Sequence, residues 1–332
     1  CVGETRQVLL DDTGRPVALK ITRWSDSEAR LTLGAQAPAR IRSLQPEQGG
    51  AFVETAGKAE AFLRLPADHG LTEGQSVEVT VMAEARKDKL PRVSMTDTRI
   101  PAADNNSWRE APIHDVEIGD DRIQAAFDEA SSTVVTIPKG GRLCIERTRA
   151  LTVVDIDSAG RQSKGSAASR ALQLNLDAAR ELARQVGLRS LGGLVILDCV
   201  APLNTGSRKK VQDTMKSCLA EFGLHTATVL APSKLGLMEV ALPWRETPLH
   251  ERTLDSRGNP TDETLALTGL RLLERTAKQN PMHKLTLELP GQAKVWLDKT
   301  GAPLLDKLSD KYGQRFTYLA STKPMPSVYQ TA

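Results

Sequence analysis

Two segments decide the fold: GGRLCIERTRALTVVDIDS at residues 140–158 and NLDAARELARQVGLRSLGGLVILD at residues 175–198. Each contains a hydrophobic run that ends in acid, with Asp155 and Asp157 after ALTVV and Asp198 after GGLVIL. Residues two apart in a strand point to the same face, so Asp155 and Asp157 should project together. The pattern indicates two strands, each with carboxylates at its end.

The segment Asn175–Leu188 joins the two runs and has the pattern of an amphipathic helix. Its apolar residues recur near a period of 3.6 and are Leu176, Ala179, Leu182, Ala183 and Val186. A strand–helix–strand unit of this length predicts parallel strands, with Asp155 and Asp198 near one carboxyl edge. Such a cluster would suit a divalent metal ion. Alternatively, these acids only end strands and face solvent, since Asp is a common turn former.

The order of these motifs resembles the catalytic core of the ribonuclease E/G family. That family keeps a glycine pair, V-D-x-N-S, an N-L-E-A-A helix and L-G-G-[LI]-x-[VI]-I-D, and the match covers about sixty residues here. The resemblance implies that Asp155 and Asp198 hold a catalytic Mg²⁺. It makes Asp157 the third catalytic residue, at a position where the family usually has Asn.

The resemblance extends to both sides of this core. Residues 41–65 and 74–95 resemble the S1 RNA-binding domain of the family, and SKLGLMEV at Ser233–Val240 matches S-R-F-G-L-L-E-M. Apolar and polar residues alternate through Thr32–Met95, as in a small five-stranded barrel. The resemblance assigns Phe52 and Phe62 to RNA base stacking and Lys89 to the same RNA-binding face. For both Phe residues the alternative is a place in the barrel core.

Basic residues are concentrated around the acids. The whole chain has a net charge of +3. Residues 139–216 contain 14 Lys and Arg against 7 Asp and Glu, so this segment carries +7 and the rest of the chain carries −4. Basic side chains beside an acidic metal site suit a polyanion such as RNA. The predicted RNA contacts are Arg161, Lys164, Arg208, Lys209 and Lys210. For Arg208–Lys210, a solvated helix face is the alternative.

The resemblance implies the fold class α/β, in an α+β multi-domain arrangement. Its parts are an N-terminal hairpin at 1–33 packing with 99–138 as an RNase H-like remnant, an S1/OB-type β-barrel inserted at 34–98, a DNase I-like α/β catalytic domain at 139–255 and a small C-terminal α/β module at 256–332. The polar stretch Pro101–Arg109 is a predicted connector.

The chain departs from the family pattern in three ways. About 40 residues separate Met95 from the catalytic segment, so the long insertion that senses RNA 5′ ends in the family is expected to be missing. The C-P-x-C zinc-link motif of the larger enzymes is absent from this sequence. Ala201 stands where the family usually has a further Asp.

Composition and motif searches exclude several function classes. No G-x-x-x-x-G-K-[ST] or G-x-G-x-x-G motif points to a nucleotide-binding enzyme. The five His residues are scattered and the four Cys residues form no C-x-x-C pair, so we expect no zinc site. No apolar run near 18 residues and no signal-like segment indicates membrane insertion or export. We expect a cytoplasmic protein, whose self-association would not use a zinc link.

Together these features predict a Mg²⁺-dependent endoribonuclease acting on single-stranded RNA in RNA processing or decay. The resemblance implies products with 5′-phosphate and 3′-hydroxyl ends. The alternative is a catalytically weak or inactive RNA-binding relative, suggested by Asp157, Ala201 and the missing insertion.

Overall fold

The computed structural model of the protein describes residues 1–26, 30–87, 89–96, 111–162 and 164–331. The connector predicted at Pro101–Arg109 lies outside these ranges. The strands are β1 (Glu4–Leu10), β2 (Pro16–Arg23), β3 (Gln36–Gln45), β4 (Gly50–Thr55), β5 (Glu60–Arg64), β6 (Ser76–Ala83), β7 (Arg92–Met95), β8 (Val134–Thr136), β9 (Arg142–Arg147), β10 (Leu151–Asp157), β11 (Gly193–Asp198), β12 (Thr228–Val229), β13 (Leu237–Leu242), β14 (Leu285–Pro290), β15 (Phe316–Ser321) and β16 (Ser327–Gln330). The helices are α1 (Asp121–Ser131), α2 (Ala167–Arg189), α3 (Thr205–Glu221), α4 (Leu249–Thr253), α5 (Asp262–Gln279), α6 (Gly291–Lys299) and α7 (Ala302–Tyr312). Within the described ranges, no helix combines the length and the apolar composition needed to cross a membrane.

The first two strands form an antiparallel hairpin, as the sequence predicts. Its turn is built by Asp11, whose carboxylate accepts the backbone N–H groups of Thr13 and Arg15, each at 2.9 Å. Leu19 and Ile21 of β2 pack with residues of α1 and with Leu188 of α2 in a small core. The hairpin therefore lies against the segment expected to accompany it. The likeness of this unit to RNase H stays a prediction.

Five strands close into a barrel in the order β3-β4-β5-β7-β6, which confirms the predicted five-stranded barrel. Inward positions alternate along each strand, as the pleat requires. Small and aliphatic residues such as Ala51, Val53, Ala61 and Leu63 fill the interior and are fully buried. The interior of the barrel is therefore a packed core, and the side chains at the alternate positions lie on its outer surface.

A six-stranded sheet in the order β12-β13-β11-β10-β9-β8 follows the barrel in sequence. The strand β8 at Val134–Thr136 pairs with β9, so the sheet extends N-terminally of the expected domain start at Lys139. The helix α2 connects the parallel strands β10 and β11 and packs with α3 on one face of the sheet. It begins eight residues before the predicted start at Asn175, because Ser166 caps it by accepting the Ser169 N–H.

The last unit is a three-stranded sheet in the order β15-β14-β16, covered by α5, α6 and α7. The sequence pattern predicts helices at Thr264–Lys278 and Pro303–Tyr312 and strands at Lys284–Leu289 and Arg315–Ala320. The structure has α5, α7, β14 and β15 at these places. The sequence analysis missed α6 at Gly291–Lys299 and β16 at Ser327–Gln330. A mixed α/β multi-domain architecture is therefore confirmed, whereas the likeness of the central sheet to DNase I stays a prediction.

The barrel is attached to the six-stranded sheet through the hairpin between β6 and β7. The Glu84 N–H donates to the Arg245 carbonyl at 2.7 Å, and Arg92 donates to the Trp244 carbonyl at 3.3 Å. The Arg86 guanidinium lies 3.5 Å from the centre of the Trp244 ring. This indole also covers Gly192, where a Cβ would lie 2.7 Å from its Cδ2 atom. The close approach explains why the L-G-G motif requires glycine at this position.

Candidate active site

The parallel pairing of β10 and β11 brings two carboxylates together. Val153 lies opposite Ile196 and Val154 lies opposite Leu197. The next residues in this register are Asp155 and Asp198, and both are exposed. Adjacent strands are about 4.8 Å apart, so the two acids are neighbours at the carboxyl ends of two strands. The strand–helix–strand spacing predicted this arrangement, whereas the metal-binding role of the acids stays a prediction.

The acids lie on the face of the sheet opposite α2 and α3. Along β10, Thr152, Val154 and Ile156 are buried, whereas Val153 and Asp155 are exposed. On β11, Val195 and Leu197 are fully buried. In the part of the chain that the structure describes, no helix packs on the opposite face, and Val153 and Leu194 are each 37% exposed there. We call this surface the open face.

Two further acids and one thiol share the open face by register. Cys144 lies opposite Asp155 on β9, and Glu146 lies opposite Val153. Glu239 lies opposite Ile196 on β13 and is exposed. The sequence analysis did not select Glu239, although the alternation in LMEVAL at 237–242 could have placed it on this face. Among the described residues, no three His, Cys, Asp or Glu side chains form a metal-binding group, so the candidate centre is a pair of carboxylates.

The cysteines next to the acids are held as neutral thiols. Burial, together with the Asp155, Asp157 and Glu146 carboxylates, raises the pKa of Cys144. Burial raises the pKa of Cys199 to about 12, with a smaller contribution from Asp198. Both thiols therefore stay protonated at neutral pH, and the donor atoms at the strand ends are carboxylate oxygens. Hard oxygen donors of this kind fit the ligand preference of Mg²⁺.

Asp157 lies at the end of β10, on the same side of the strand as Asp155. Its carboxylate accepts the backbone N–H of Ala159 at 2.9 Å, which closes the turn that follows the strand. Its backbone pairs with Arg142 of β9. One oxygen of the third predicted catalytic residue is therefore engaged in the local turn, and the other has no hydrogen-bond partner among the described residues.

The loop at residues 233–236 borders Asp198. The Cys199 N–H donates to the Gly236 carbonyl at 3.1 Å. A Cβ placed on Gly236 would lie 3.7 Å from Oδ1 of Asp198. Lys234, which is exposed, belongs to this loop. The sequence analysis quoted SKLGLMEV but did not select Lys234, since the approach of this loop to Asp198 depends on the pairing of β13 with β11.

The predicted basic contacts differ in their availability. Lys164 and Lys210 are exposed, and Lys209 is exposed but pairs with Asp213 at 2.8 Å within α3. Arg208 is half-buried and donates to the Leu203 carbonyl at 3.3 Å. The Arg161 guanidinium pairs with Asp177 at 2.5 Å, and the two side chains are only 7% and 8% exposed. The structure therefore gives Arg161 an internal ion pair, while Lys164 and Lys210 face solvent.

Phe52 and Phe62 lie on the outer surface of the barrel, opposite each other in the pairing of β4 with β5. Both are half-exposed, and neither belongs to the barrel core. Their rings form an edge-to-face pair with centroids 5.6 Å apart. The Phe62 ring lies over Gly50, where a Cβ would come within 2.7 Å of its Cζ atom. The core alternative is therefore wrong for both residues, and RNA stacking stays a prediction.

Lys89 lies at the tip of the hairpin between β6 and β7. Its backbone exchanges two hydrogen bonds with Arg86, at 2.9 and 3.0 Å, and its side chain is exposed. The adjacent Lys87 N–H donates to the Glu251 carboxylate of α4 at 2.9 Å. Lys89 is therefore at the junction between the barrel and the sheet unit.

The fold and the site define a multi-domain α/β protein with a surface-exposed carboxylate pair and a separate five-stranded barrel. Residues 108–242 match the family model described as Ribonuclease E/G family.

Curated relatives agree with the family model. Ribonuclease E of Haemophilus influenzae is 30% identical over 183 residues, which is 53% of this chain and 20% of the relative. Ribonuclease E of Escherichia coli is 30% identical over 167 residues, covering 48% and 16%. Ribonuclease G of Escherichia coli is 31% identical over 129 residues, covering 39% and 25%. The chain thus spans only about a fifth of the length of these relatives.

Among solved structures, a multidomain protein with nucleic acid binding domains from Streptococcus pneumoniae aligns with 40% of this chain and 44% of its own. The sequence identity is 15% and the TM-score is 0.17.

Proposed function

We propose that the protein is a Mg²⁺-dependent endoribonuclease that hydrolyses phosphodiester bonds in single-stranded RNA. The products would have 5′-phosphate and 3′-hydroxyl ends, and the reaction would serve RNA processing or decay. The proposal includes an S1-type role for the barrel, a DNase I-like role for the six-stranded sheet and action in the cytoplasm.

The observation that carries the proposal is the placement of Asp155 and Asp198 as neighbours at the ends of two parallel strands. Both are exposed on a rigid sheet whose outer face is open in the described part of the chain. A nuclease requires this accessibility, because a polymer must reach the acids. The match of residues 108–242 to the ribonuclease E/G family supports the same activity.

Each part of the chain would contribute a distinct step. Asp155 and Asp198 would hold Mg²⁺, which when bound acts as a Lewis acid on a phosphate oxygen and lowers the pKa of water. Exposed Lys164, Lys210 and Lys234 would hold RNA phosphates. The Phe52–Phe62 pair would stack on unpaired bases. Stacking requires splayed bases, which favours single-stranded RNA over a duplex.

Cleavage of a fluorescent A/U-rich single-stranded oligomer by purified protein tests the proposal. We expect cleavage in Mg²⁺, loss of cleavage in EDTA and recovery when Mg²⁺ is restored. A duplex of the same sequence is the control and should be cut more slowly. Equal cleavage in EDTA and Mg²⁺, or no cleavage with any divalent ion, would contradict the proposal.

An RNA-binding relative without strong catalysis is the second candidate function. The observation that favours it is the turn built by Asp157, because the hydrogen bond to Ala159 occupies one oxygen of that carboxylate. Ala201, at the position of a family Asp, is exposed and adds no charge. This candidate predicts salt-sensitive RNA binding without cleavage, so binding and cleavage measured on one preparation separate the two functions.

A further inference from the structure

The helix α2 carries a fully buried amide beside the candidate site. Asn175 is 0% exposed. Its side-chain amide donates to the Val200 carbonyl at 2.8 Å and accepts the Val200 N–H at 2.9 Å. Val200 is two residues beyond Asp198. One side chain of α2 therefore satisfies both the N–H and the carbonyl of Val200, in the segment that follows β11.

The same helix also contacts the segment that follows β10. Asp177 is buried and pairs with Arg161 at 2.5 Å. Arg161 follows Asp157 by four residues, and its guanidinium also donates to the Gly140 carbonyl at 3.1 Å. The ion pair thus ties the turn after β10 both to α2 and to the turn that precedes β9.

These polar groups belong to a helix that buries polar as well as apolar residues. Leu174, Ala178 and Ala179 are all buried in the core of the sheet unit. Burying an amide or a carboxylate costs free energy unless its hydrogen bonds are satisfied, and apolar residues often stabilise such positions equally well. Both contacts reach segments that directly follow carboxylate-bearing strands.

We propose that Asn175 and Asp177 are positioning residues that together fix the separation of Asp155 and Asp198. Asn175 acts through Val200, and Asp177 acts through Arg161. Neither would touch the metal or the RNA. This inference rests on the proposed function, because it assumes that the two acids share one divalent ion.

The test compares Asn175→Leu and Asp177→Asn with Gln185→Leu. Gln185 is a matched control, since it is equally buried on α2 but donates to Glu129, away from the acidic strand ends. Asn175→Asp keeps the bond from the Val200 N–H and provides a milder variant should Asn175→Leu not fold. For each folded protein we would measure Mn²⁺ affinity by calorimetry, the Mg²⁺ concentration for half-maximal cleavage, the KM for RNA and the thermal midpoint.

We expect both test variants to bind Mn²⁺ about 10- to 100-fold more weakly, with a parallel rise in the Mg²⁺ requirement and an unchanged KM. Asn175→Asp should be intermediate. Gln185→Leu should lower the thermal midpoint without changing Mn²⁺ affinity. Unchanged Mn²⁺ affinity in the test variants, or an equal loss in Gln185→Leu, would overturn the positioning role.

The design separates this inference from the proposed function. If the wild type binds Mn²⁺ but cleaves nothing, the nuclease proposal fails, and the Mn²⁺ affinities still decide the positioning role. If the wild type cleaves RNA and the variants keep its metal requirement, only the positioning role fails. A wild type that binds no divalent ion overturns both.

Discussion

At the scale of single residues, Asp155 and Asp198 illustrate how a site is divided between sequence and fold. Each acid is far from the other along the chain. Asp198 is the last residue of β11, and Asp155 lies two residues before the end of β10. The parallel register makes them neighbours. The function of the two acids should therefore depend on both the charge and the position of each carboxylate. Substitution of either Asp by Asn removes the charge and keeps the shape of the side chain.

Asp155→Asn and Asp198→Asn should each abolish Mg²⁺-dependent cleavage while leaving RNA affinity largely intact. Each amide removes one anionic ligand from the proposed ion, whereas the exposed lysines that would hold phosphates remain. Single-turnover cleavage and RNA binding by fluorescence anisotropy measure the two effects. Glu239→Gln is the matched control on the open face, since Glu239 lies opposite Ile196, two residues before Asp198. Near wild-type cleavage by either Asn variant would disprove the assignment.

A second prediction at this scale concerns the histidine of α4. Burial, together with Arg147 and Arg189, lowers the pKa of His250 to about 4. An unfolded His titrates near 6.5, so between about pH 6.5 and 4 the unfolded state binds the extra proton. The free energy of unfolding should therefore fall as the pH is lowered through this window and then lose this dependence below about pH 4.

His250→Gln should remove this contribution, because glutamine does not titrate. Urea unfolding at several pH values would show a shallower loss of stability between pH 6.5 and 4 in the variant than in the wild type. The exposed His283 provides the control, and His283→Gln should retain the wild-type slope. If the free energy of unfolding depended on pH in the same way in His250→Gln and the wild type, this histidine would not be responsible for the loss of stability at acidic pH.

At the scale of elements, the β4–β5 pair places aromatic rings outside the barrel and aliphatic residues inside it. Phe52 and Phe62 alternate with the fully buried Val53, Ala61 and Leu63. The period of two along a strand determines this division. Because the rings are on the surface, their contribution to RNA binding should be separable from their contribution to folding.

Phe52→Ala and Phe62→Ala should each weaken single-stranded RNA binding by roughly 1–3 kcal/mol with little change in thermal midpoint. Leu63→Ala is the matched core control in β5 and should lose about 2–5 kcal/mol of stability. Melting curves and RNA affinities from the same preparations give both quantities. Loss of stability without loss of RNA affinity in the Phe variants would assign the rings to packing.

At the scale of the whole molecule, the barrel contacts the sheet unit near the start of β11, whereas Asp198 lies at the end of β11. The barrel hairpin contacts Trp244 and Arg245, which follow β13 beside the start of β11. Asp198 is the last residue of the six-residue strand β11. At about 3.3 Å per residue, it lies roughly 16–20 Å from the start of that strand and hence from the barrel contact. RNA held by both units would span the distance between them, so recognition should depend on internal nucleotides.

Cleavage should accordingly be nearly indifferent to the RNA 5′ end. The short interval between Met95 and the catalytic segment leaves little room for a 5′-sensing insertion. Initial rates on otherwise identical 5′-monophosphate and 5′-hydroxyl RNAs measure the effect. RNA affinity should still decrease steeply with salt, because phosphate contacts release counterions. A preference above about tenfold, worth about 1.4 kcal/mol, would show that another surface recognises the end.

Local patterns were sufficient for the strands that carry the acids, the crossover helix, the barrel and most of the C-terminal module. Alternation and helical periodicity reflect which side of each element is buried, so they can be read from the sequence. The elements α6 and β16 were missed because each is short and its packing is set by distant partners.

Other features were decided only by the tertiary structure. Strand pairing brought Glu239 onto the open face, and helix packing directed Asn175 and Asp177 to the segments that follow the strands. The ion pair of Arg161 with Asp177 also removed from solvent a residue expected to contact RNA. A sequence specifies the face on which a side chain lies, through the period of its own element. Its neighbours on that face come from other elements, and their register exists only in the folded chain.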